Sequence, residues 1–371
     1  MIHLQKTKLD TSHEPASEFL ERTLAALDSS GLCYCVARNY ELYPGVITGD
    51  VDLIMAASDM KSAERTILRV ADNLDWRPFV KYLSSRSVHL GFYSDIYPRR
   101  FVLVFELFAG GAWRGQQFLS AERIIEMRHR YRCTWKPHAT HEAMITLVHH
   151  LLYNGCVFEK YRKQIRKCVE SAPIFFEEEL CKAFGKKRAK NISECVKNNK
   201  WNELENISPQ IRRFFLLRSL CLQPLRFIHR VVDLFAEVRS KPEGVVIAVE
   251  ATSPEEMKQV ADTIIELADR WHIFIPPTRE KIAFFDNDKS IARSVQSIVA
   301  SGGVAVILNE ESRRLPDFTL QYPIVHVNVQ GDLACISIGD QSISCPVIRK
   351  TLAFDIWNVI LKCRSNALVR G

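Results

Sequence analysis

The chain lacks the sequence features of a secreted, zinc-bound or membrane-spanning protein. None of its 11 cysteines forms a Cys-x-x-Cys pair, so a structural zinc site is not expected. No apolar run approaches the roughly 18 residues that a membrane-spanning helix needs, and the first residues contain no apolar core like that of a signal peptide. An odd number of cysteines without a signal favours a reducing cytoplasm, which is the predicted location.

Strong charge of one sign is also missing. The net charge of +7 over 371 residues is mild; it suits ligands that carry phosphate but is too diffuse to indicate a nucleic-acid track. The densest basic stretch, residues 182–190, is typical of a solvated helix face. With 47% hydrophobic and 25% charged residues, the composition is that of a globular protein long enough for two or three domains.

A glycine-rich phosphate loop is missing from the second half. Residues 244–249 form a continuous apolar run, typical of a strand that is buried on both faces. A helix over 254–271 follows, then strand 272–275, helix 290–301 and strands 303–308 and 324–329, and this alternation predicts a parallel α/β layer. The turn after the first strand reads ATSPEE, without the Gly, Lys and Ser or Thr of a phosphate loop. Its two glutamates would repel phosphate.

What the chain does contain is a pair of acids at the start of an apolar run. Residues 49–55 read GDVDLIM. In a strand Asp50 and Asp52 point to the same side, roughly 6.5–7 Å apart, which suits binding of divalent metal ions. Two like charges at that distance, if buried, need a cation or protons to neutralise them. The alternative is a strand end whose carboxylates face water.

A third acid lies in a later strand. Over residues 100–108 the apolar residues alternate, so that Val102, Val104 and Glu106 share one face. An acid in an apolar row needs a cation or a metal as its partner, unless it lies at the solvent end of the strand.

The order of elements divides the chain into three ranges. Helix 16–30, strand 32–38, the acidic strand, helix 60–74 and strands 87–93 and 100–108 make a first domain over 1–140. Residues 141–240 are helical and complete the first half, and 241–371 form the parallel α/β layer. The predicted fold class is α/β.

These pieces, in this order, resemble the DNA polymerase beta-like nucleotidyltransferase superfamily, and more closely the uncharacterised bacterial nucleotidyltransferases found among polysaccharide-biosynthesis genes. The likeness extends over roughly residues 20–240. The segments that carry it are Arg38-Asn39-Tyr40-Glu41, Gly49-Asp50-Val51-Asp52-Leu53, Glu106-Leu107-Phe108, Trp113-Arg114-Gly115, His149-His150-Leu151-Leu152 and Lys160-Tyr161-Arg162.

The resemblance implies a Mg²⁺- or Mn²⁺-dependent nucleotidyltransferase in which Asp50, Asp52 and Glu106 are the catalytic residues and metal ligands. The substrate would be a nucleoside triphosphate such as ATP, and the acceptor a hydroxyl or phosphate, on a sugar or sugar phosphate in surface-polysaccharide biosynthesis. The implied nucleotide- and phosphate-binding residues are Arg38, Asn39, Gly49, Arg114, Lys160 and Arg162.

The chain departs from the superfamily pattern at two places. Arg38-Asn39 stands where Gly-Ser or Gly-Gly is usual, and Glu106 replaces an aspartate. Arg38 and Arg114 have an alternative role as structural ion-pair partners. A catalytically inactive nucleotide-binding or scaffold protein therefore remains the alternative function.

The second half resembles thymidylate kinase-like P-loop proteins, in strand 244–250 and in residues 292–308. Because the phosphate loop is degenerate, no kinase activity is expected there. A structural or protein-interaction module, with a protein partner, is the expected role of this half.

Overall fold

A computed structural model describes residues 15–47, 49–83, 87–94, 102–113, 116–222, 224–225, 228, 231–232, 244–271, 282–285, 304–308, 324–330, 333–338, 341–346 and 349–370. The described residues fall into two compact units that alternate along the chain. The first unit contains the described residues up to Val70, within 85–88 and within 105–233. The second unit contains those within 71–84, within 89–104 and from 234 onward. The three consecutive ranges expected from the sequence stay a prediction.

The elements up to residue 136 are short strands with three helices. In chain order they are α1 (Pro15–Ser29), β1 (Tyr34–Val36), β2 (Val51–Met55), α2 (Met60–Asn73), β3 (Arg77–Leu83), β4 (Ser87–Tyr93), β5 (Val102–Phe108), β6 (Gly110–Trp113), β7 (Gln116–Ser120), α3 (Ala121–Glu126), β8 (His129–Tyr131) and β9 (Thr134–Lys136). The predicted helices 16–30 and 60–74 and the four predicted strands are confirmed. Strands β3, β6, β7, β8 and β9 are additional.

The middle of the chain is helical, as predicted. It contains α4 (Ala139–His149), a π-helical turn (His150–Asn154), α5 (Glu159–Ser171), α6 (Pro173–Phe184), α7 (Lys186–Lys197) and α8 (Trp201–Leu222). The remaining elements are β10 (Val245–Glu250), α9 (Pro254–Trp271), β11 (Ile282–Phe285), β12 (Val304–Leu308), β13 (Ile324–Gln330), β14 (Leu333–Ile338), β15 (Gln341–Pro346) and α10 (Arg349–Arg370).

The acidic strand β2 lies between β1 and β5 in a five-stranded sheet of order β1-β2-β5-β4-β3. It is antiparallel to β1 and parallel to β5. In the parallel register Val51 stands opposite Phe105 and Asp52 opposite Glu106. Since side chains alternate along a strand, this register puts both acids on one face of the sheet.

The two faces of this part of the sheet have different neighbours within the first unit. The ring of Phe105 packs against Phe19 of α1, with centroids 5.3 Å apart. Ile54, on the other face, belongs to a buried apolar cluster with Leu147 of α4 and Leu151 of the π-helical turn. Asp52 shares the face of Ile54, so it lies on the side of the sheet that the helices cover.

The π-helical turn is held by α8. The carbonyl of Leu151 accepts hydrogen bonds from the Ser208 hydroxyl at 2.9 Å and from Nε of Arg212 at 3.0 Å. Gly155 ends the turn with a positive φ of 80° and donates its N–H to the carbonyl of His150 at 3.0 Å. These bonds satisfy backbone groups that a π-helix displaces from the regular α-helical pattern.

The second unit has an α/β architecture. Its six-stranded sheet has the order β11-β12-β10-β13-β14-β15. The first four strands are parallel to one another, whereas β14 is antiparallel to β13 and β15 is antiparallel to β14. Predicted strands 244–249, 303–308 and 324–329 and helix 254–271 are confirmed. The predicted strand 272–275 and helix 290–301 lie outside the described residues. The sheet and α10 share an apolar core with β3, β4 and the first half of β5, which explains why those strands belong to this unit.

The turn between β10 and α9 is an ordinary capped helix start. The Ser253 hydroxyl accepts a hydrogen bond from the backbone N–H of Glu256 at 3.2 Å, and Thr252 donates to the Glu256 carboxylate at 2.8 Å. A serine with a glutamate three residues later is the capping-box pattern. Side chains of the chain itself therefore satisfy polar groups at the start of α9.

We expect Gly155→Ala to destabilise the first unit by about 1–2 kcal/mol, because a positive φ strains any side chain. A Cβ at this position would also lie 3.1 Å from the Arg212 guanidinium. Gly45→Ala is the matched control: its Cβ would meet only a carbonyl oxygen, at 3.7 Å, and its effect should stay within about 0.5 kcal/mol. Urea unfolding measures both, and equal losses would contradict this account of the turn.

Candidate functional site

Asp52 and Glu106, which we call the acid pair, are direct neighbours on adjacent parallel strands. Each is only 4% exposed. Neighbouring strands lie about 4.8 Å apart, so two carboxylates in register at that spacing repel each other strongly when ionised. A nearby positive charge is therefore required to keep the acid pair ionised.

Arg38 supplies that charge. Its Nε lies 2.6 Å from Oδ2 of Asp52, with the two side chains 21% and 5% exposed. Asp52, and further away Glu106, raise the pKa of the Arg38 guanidinium despite its burial. The backbone N–H of Ala37 donates to the carbonyl of Asp52 at 2.9 Å, so the end of β1 brings Arg38 to the acid pair.

Three other residues expected near the nucleotide are chain neighbours of Arg38 or Asp52. Asn39 has a positive φ of 61°, a conformation that asparagine tolerates, and it turns the chain away from β1. Gly49 and Asp50 are half-buried and directly precede β2. A Cβ built on Gly49 would meet no atom within 4 Å, so the space beside this glycine is open. Arg114 lies outside the described residues.

A buried polar network that the sequence did not reveal anchors the loop after Arg38. The Tyr40 hydroxyl donates to Oε2 of Glu142, and Gln164 donates to Oε1 of the same carboxylate, each at 2.5 Å. Burial raises the pKa of Glu142, which is 5% exposed. The only signal in the sequence was an acid in the apolar segment 141–152. The network joins the loop to α4 and α5.

Lys160 and Arg162, both proposed for phosphate, have different surroundings. Lys160 is exposed, and its Nζ lies 4.8 Å from the centre of the Tyr161 ring. Arg162 forms an ion pair with Glu205 at 2.9 Å, donates to the carbonyl of Val157 at 2.9 Å and lies over the Trp201 ring. These contacts make Arg162 a link between α5 and α8.

Two histidines lie at the start of α4: His138, which caps the helix, and His141 contact each other and Phe175. His141 is fully buried, and burial lowers its pKa to about 4. Glu179 opposes that shift, whereas His138, Arg123 and Lys182 add to it. His141 is therefore neutral at pH 7.

The acid pair has the hard oxygen donors that Mg²⁺ binds, and Asp50 precedes it in the same chain segment. Within the described residues, however, no three His, Cys, Asp or Glu side chains form a group ready to hold a metal ion. The geometry thus fits part of the predicted metal site: two of the three acids are adjacent, and one oxygen of Asp52 bonds Arg38.

The comparisons with known proteins add no relatives. Neither protein-family models nor curated proteins nor solved structures match the chain. None of the helices in the described part of the chain is both long and apolar enough to cross a membrane.

We expect Arg38→Met to lower the free energy of unfolding by about 3 kcal/mol, because it leaves a buried carboxylate without its cation. The double variant Arg38→Met with Asp52→Asn should recover much of that loss. As a control, Arg130→Met removes an ion pair of the same 2.6 Å length to Asp28 whose side chains are 49% and 26% exposed, and should cost less than about 1 kcal/mol. Additive effects of the Arg38 and Asp52 substitutions in urea unfolding would contradict the pairing.

We expect His141→Phe to weaken the acid sensitivity of the protein. Because the folded pKa of His141 is about 4 and the unfolded value is about 6.5, only the unfolded chain gains this proton as pH falls between them. The wild type should therefore lose about 2 kcal/mol of stability through this group between pH 7 and roughly pH 4.5. Unfolding titrations across that range should show a shallower slope for His141→Phe, and parallel slopes would refute the prediction.

Proposed function

We propose that the first unit is a magnesium-dependent nucleotidyltransferase that uses a nucleoside triphosphate. The observation that supports this most is the parallel register of β2 with β5, which sets Asp52 beside Glu106 on the face that the helices cover. Asp50 directly precedes the strand in the chain, and the Arg38 guanidinium forms an ion pair with Asp52.

In this proposal Asp50, Asp52 and Glu106 would hold the metal. The metal, when bound, neutralises phosphate charge and aligns the attacking and leaving oxygens. Arg38 balances the negative charge of Asp52 without substrate, and its guanidinium has two NH₂ groups besides the Nε that bonds Asp52. A planar guanidinium donates well to phosphate oxygens, so Arg38 binds the triphosphate.

The reaction is an in-line displacement at the α-phosphorus. The acceptor oxygen forms a new bond to that phosphorus, the bond to the bridging oxygen of the β-phosphate breaks, and pyrophosphate leaves. Where the acceptor is a hydroxyl, its proton goes to a carboxylate, for which Glu106 is the candidate. The acceptor class, a hydroxyl or phosphate of a sugar in surface-polysaccharide synthesis, rests on the family resemblance. A cytoplasmic location agrees with the free thiols of the described cysteines.

A second function, a catalytically inactive nucleotide-binding or scaffold protein, is favoured by one observation. Asp52 is already neutralised by a cation of the chain itself, at 2.6 Å, and metal binding at Asp52 has to compete with that ion pair. The capped turn after β10 agrees with a structural or protein-binding role for the second unit. Nucleotide binding that requires Mg²⁺ and is lost in Asp52→Asn would contradict a scaffold without nucleotide binding, and nucleotidyl transfer would contradict both forms of this second function.

We expect the purified protein to release pyrophosphate from labelled nucleoside triphosphates and to transfer label to sugar or sugar-phosphate acceptors when Mg²⁺ or Mn²⁺ is present. Asp52→Asn should reduce the rate on the order of 100-fold or more, since it removes a charge that acts on the transition state. Glu170→Gln, an exposed acid paired with Arg166, is the matched control and should keep the wild-type rate. Label transfer that survives Asp50→Asn with Asp52→Asn would overturn the assignment.

A further inference from the structure

The imidazole of His150 is a buried polar group close to the proposed site. His150 opens the π-helical turn and is 3% exposed. Its ring contacts Tyr161 and Phe158, with centroids 4.8 and 4.9 Å away, and also His149. Of these neighbours, Tyr161 also acts electrostatically on Arg38.

The position of the His150 proton follows from its bond to Asn154. The amide nitrogen of Asn154 lies 2.9 Å from Nδ1 of His150. An amide N–H can only donate, so Nδ1 accepts and the imidazole proton is on Nε2. Nε2 is buried and has no hydrogen-bond partner among the residues that the structure describes. A buried donor without an acceptor costs about 1–3 kcal/mol.

The charges around this donor are positive. Burial, with smaller contributions from Arg38 and Lys160, lowers the pKa of His150 to about 4. The imidazole is thus neutral at pH 7, so its Nε2–H is a hydrogen-bond donor beside two cations. Arg38 acts electrostatically on His150 and is also the cation of Asp52. Among the residues that the structure describes, no acceptor bonds this donor, and a negatively charged acceptor would suit it.

The fold fixes the imidazole in place. The next carbonyl, that of Leu151, bonds Ser208 and Arg212 of α8, and Gly155 closes the turn onto the carbonyl of His150. A π-helical turn is a costly local conformation that is frequent at functional sites. A donor that stays unsatisfied in a rigid setting is preorganised for a ligand.

We propose that Nε2–H of His150 donates a hydrogen bond to a phosphate oxygen of the nucleotide, with Arg38 and Lys160 supplying positive charge around the same phosphates. The proposal rests on the proposed nucleotidyltransferase function. In the superfamily that the chain resembles, backbone amides of a Gly-Ser loop bind this phosphate. This protein has Arg38-Asn39 in place of that loop, and the proposal assigns the phosphate contact to the side chain of His150 instead.

The test uses the full-length protein and inorganic pyrophosphate as the probe, with calorimetry and ¹⁵N NMR of the histidine side chains as readouts. Pyrophosphate should shift the Nε2–H resonance of His150, assigned by its loss in His150→Gln. Because a lost hydrogen bond to a charged group is worth about 1.5–3 kcal/mol, His150→Leu should weaken pyrophosphate binding by roughly 10-fold or more. His150→Gln, which retains a side-chain N–H donor, should stay within about 3-fold, a difference of less than about 1 kcal/mol.

The matched control is His149→Leu, which removes the neighbouring imidazole that stacks on Tyr153 and should leave the pyrophosphate affinity unchanged. An unmoved Nε2–H resonance at saturating pyrophosphate, or wild-type affinity in His150→Leu, would overturn the proposal. Should His150→Leu fail to fold, the resonance shift in the wild type decides alone.

The outcomes separate this proposal from the proposed function. If no nucleotidyl transfer is found but pyrophosphate binds with the expected order of variants, the His150 anion site stands and the enzyme assignment fails. If transfer is found and His150→Leu leaves both KM and pyrophosphate affinity unchanged, the enzyme assignment stands and the role of His150 fails.

Discussion

The buried negative charge of Asp52 is the constraint on which the first unit depends. The parallel pairing of β2 with β5 puts a second carboxylate, Glu106, directly beside it. Two such groups out of water require a cation, and Arg38 meets that requirement at 2.6 Å. The loop that carries Arg38 is fixed at both ends, by the bond of Ala37 to the Asp52 backbone and by the network around Glu142.

The same constraint gives the helical layer its polar character. A face that contains the acid pair cannot be covered by apolar side chains alone, so the helices above it also bring His150, and Tyr161 near Arg38. A buried polar side chain that lacks some of its hydrogen bonds lowers the stability of the fold. Such side chains are found where a fold retains a site for a ligand. The π-helical turn, held by three hydrogen bonds to its backbone, has the rigidity that such a site needs.

Local patterns sufficed to predict many of the elements. Alternation identified β5, and continuous apolar runs identified β10 and β12, because hydrophobic period reflects burial. The segment of β3 contains Pro78 and Lys81 within an irregular pattern, and its strand forms through tertiary packing that no local window shows. The pairing of Asp52 with Glu106 joins residues far apart in sequence, and the partners of Arg162 lie on another helix. The spacing of residues along the chain predicts neither contact. A helical period likewise does not distinguish the π-helical turn at His150 from an α-helix.

The central claim, that the acid pair and its neighbours form a metal-dependent nucleotide site, is tested most directly by diffraction from crystals grown with Mn²⁺ and a non-hydrolysable nucleoside triphosphate. We expect an anomalous Mn²⁺ peak in contact with carboxylate oxygens of Asp52 and Glu106, with the phosphates beside Arg38 and His150. A structure at saturating nucleotide in which the Arg38–Asp52 ion pair is intact and no Mn²⁺ peak lies at the acid pair would contradict it.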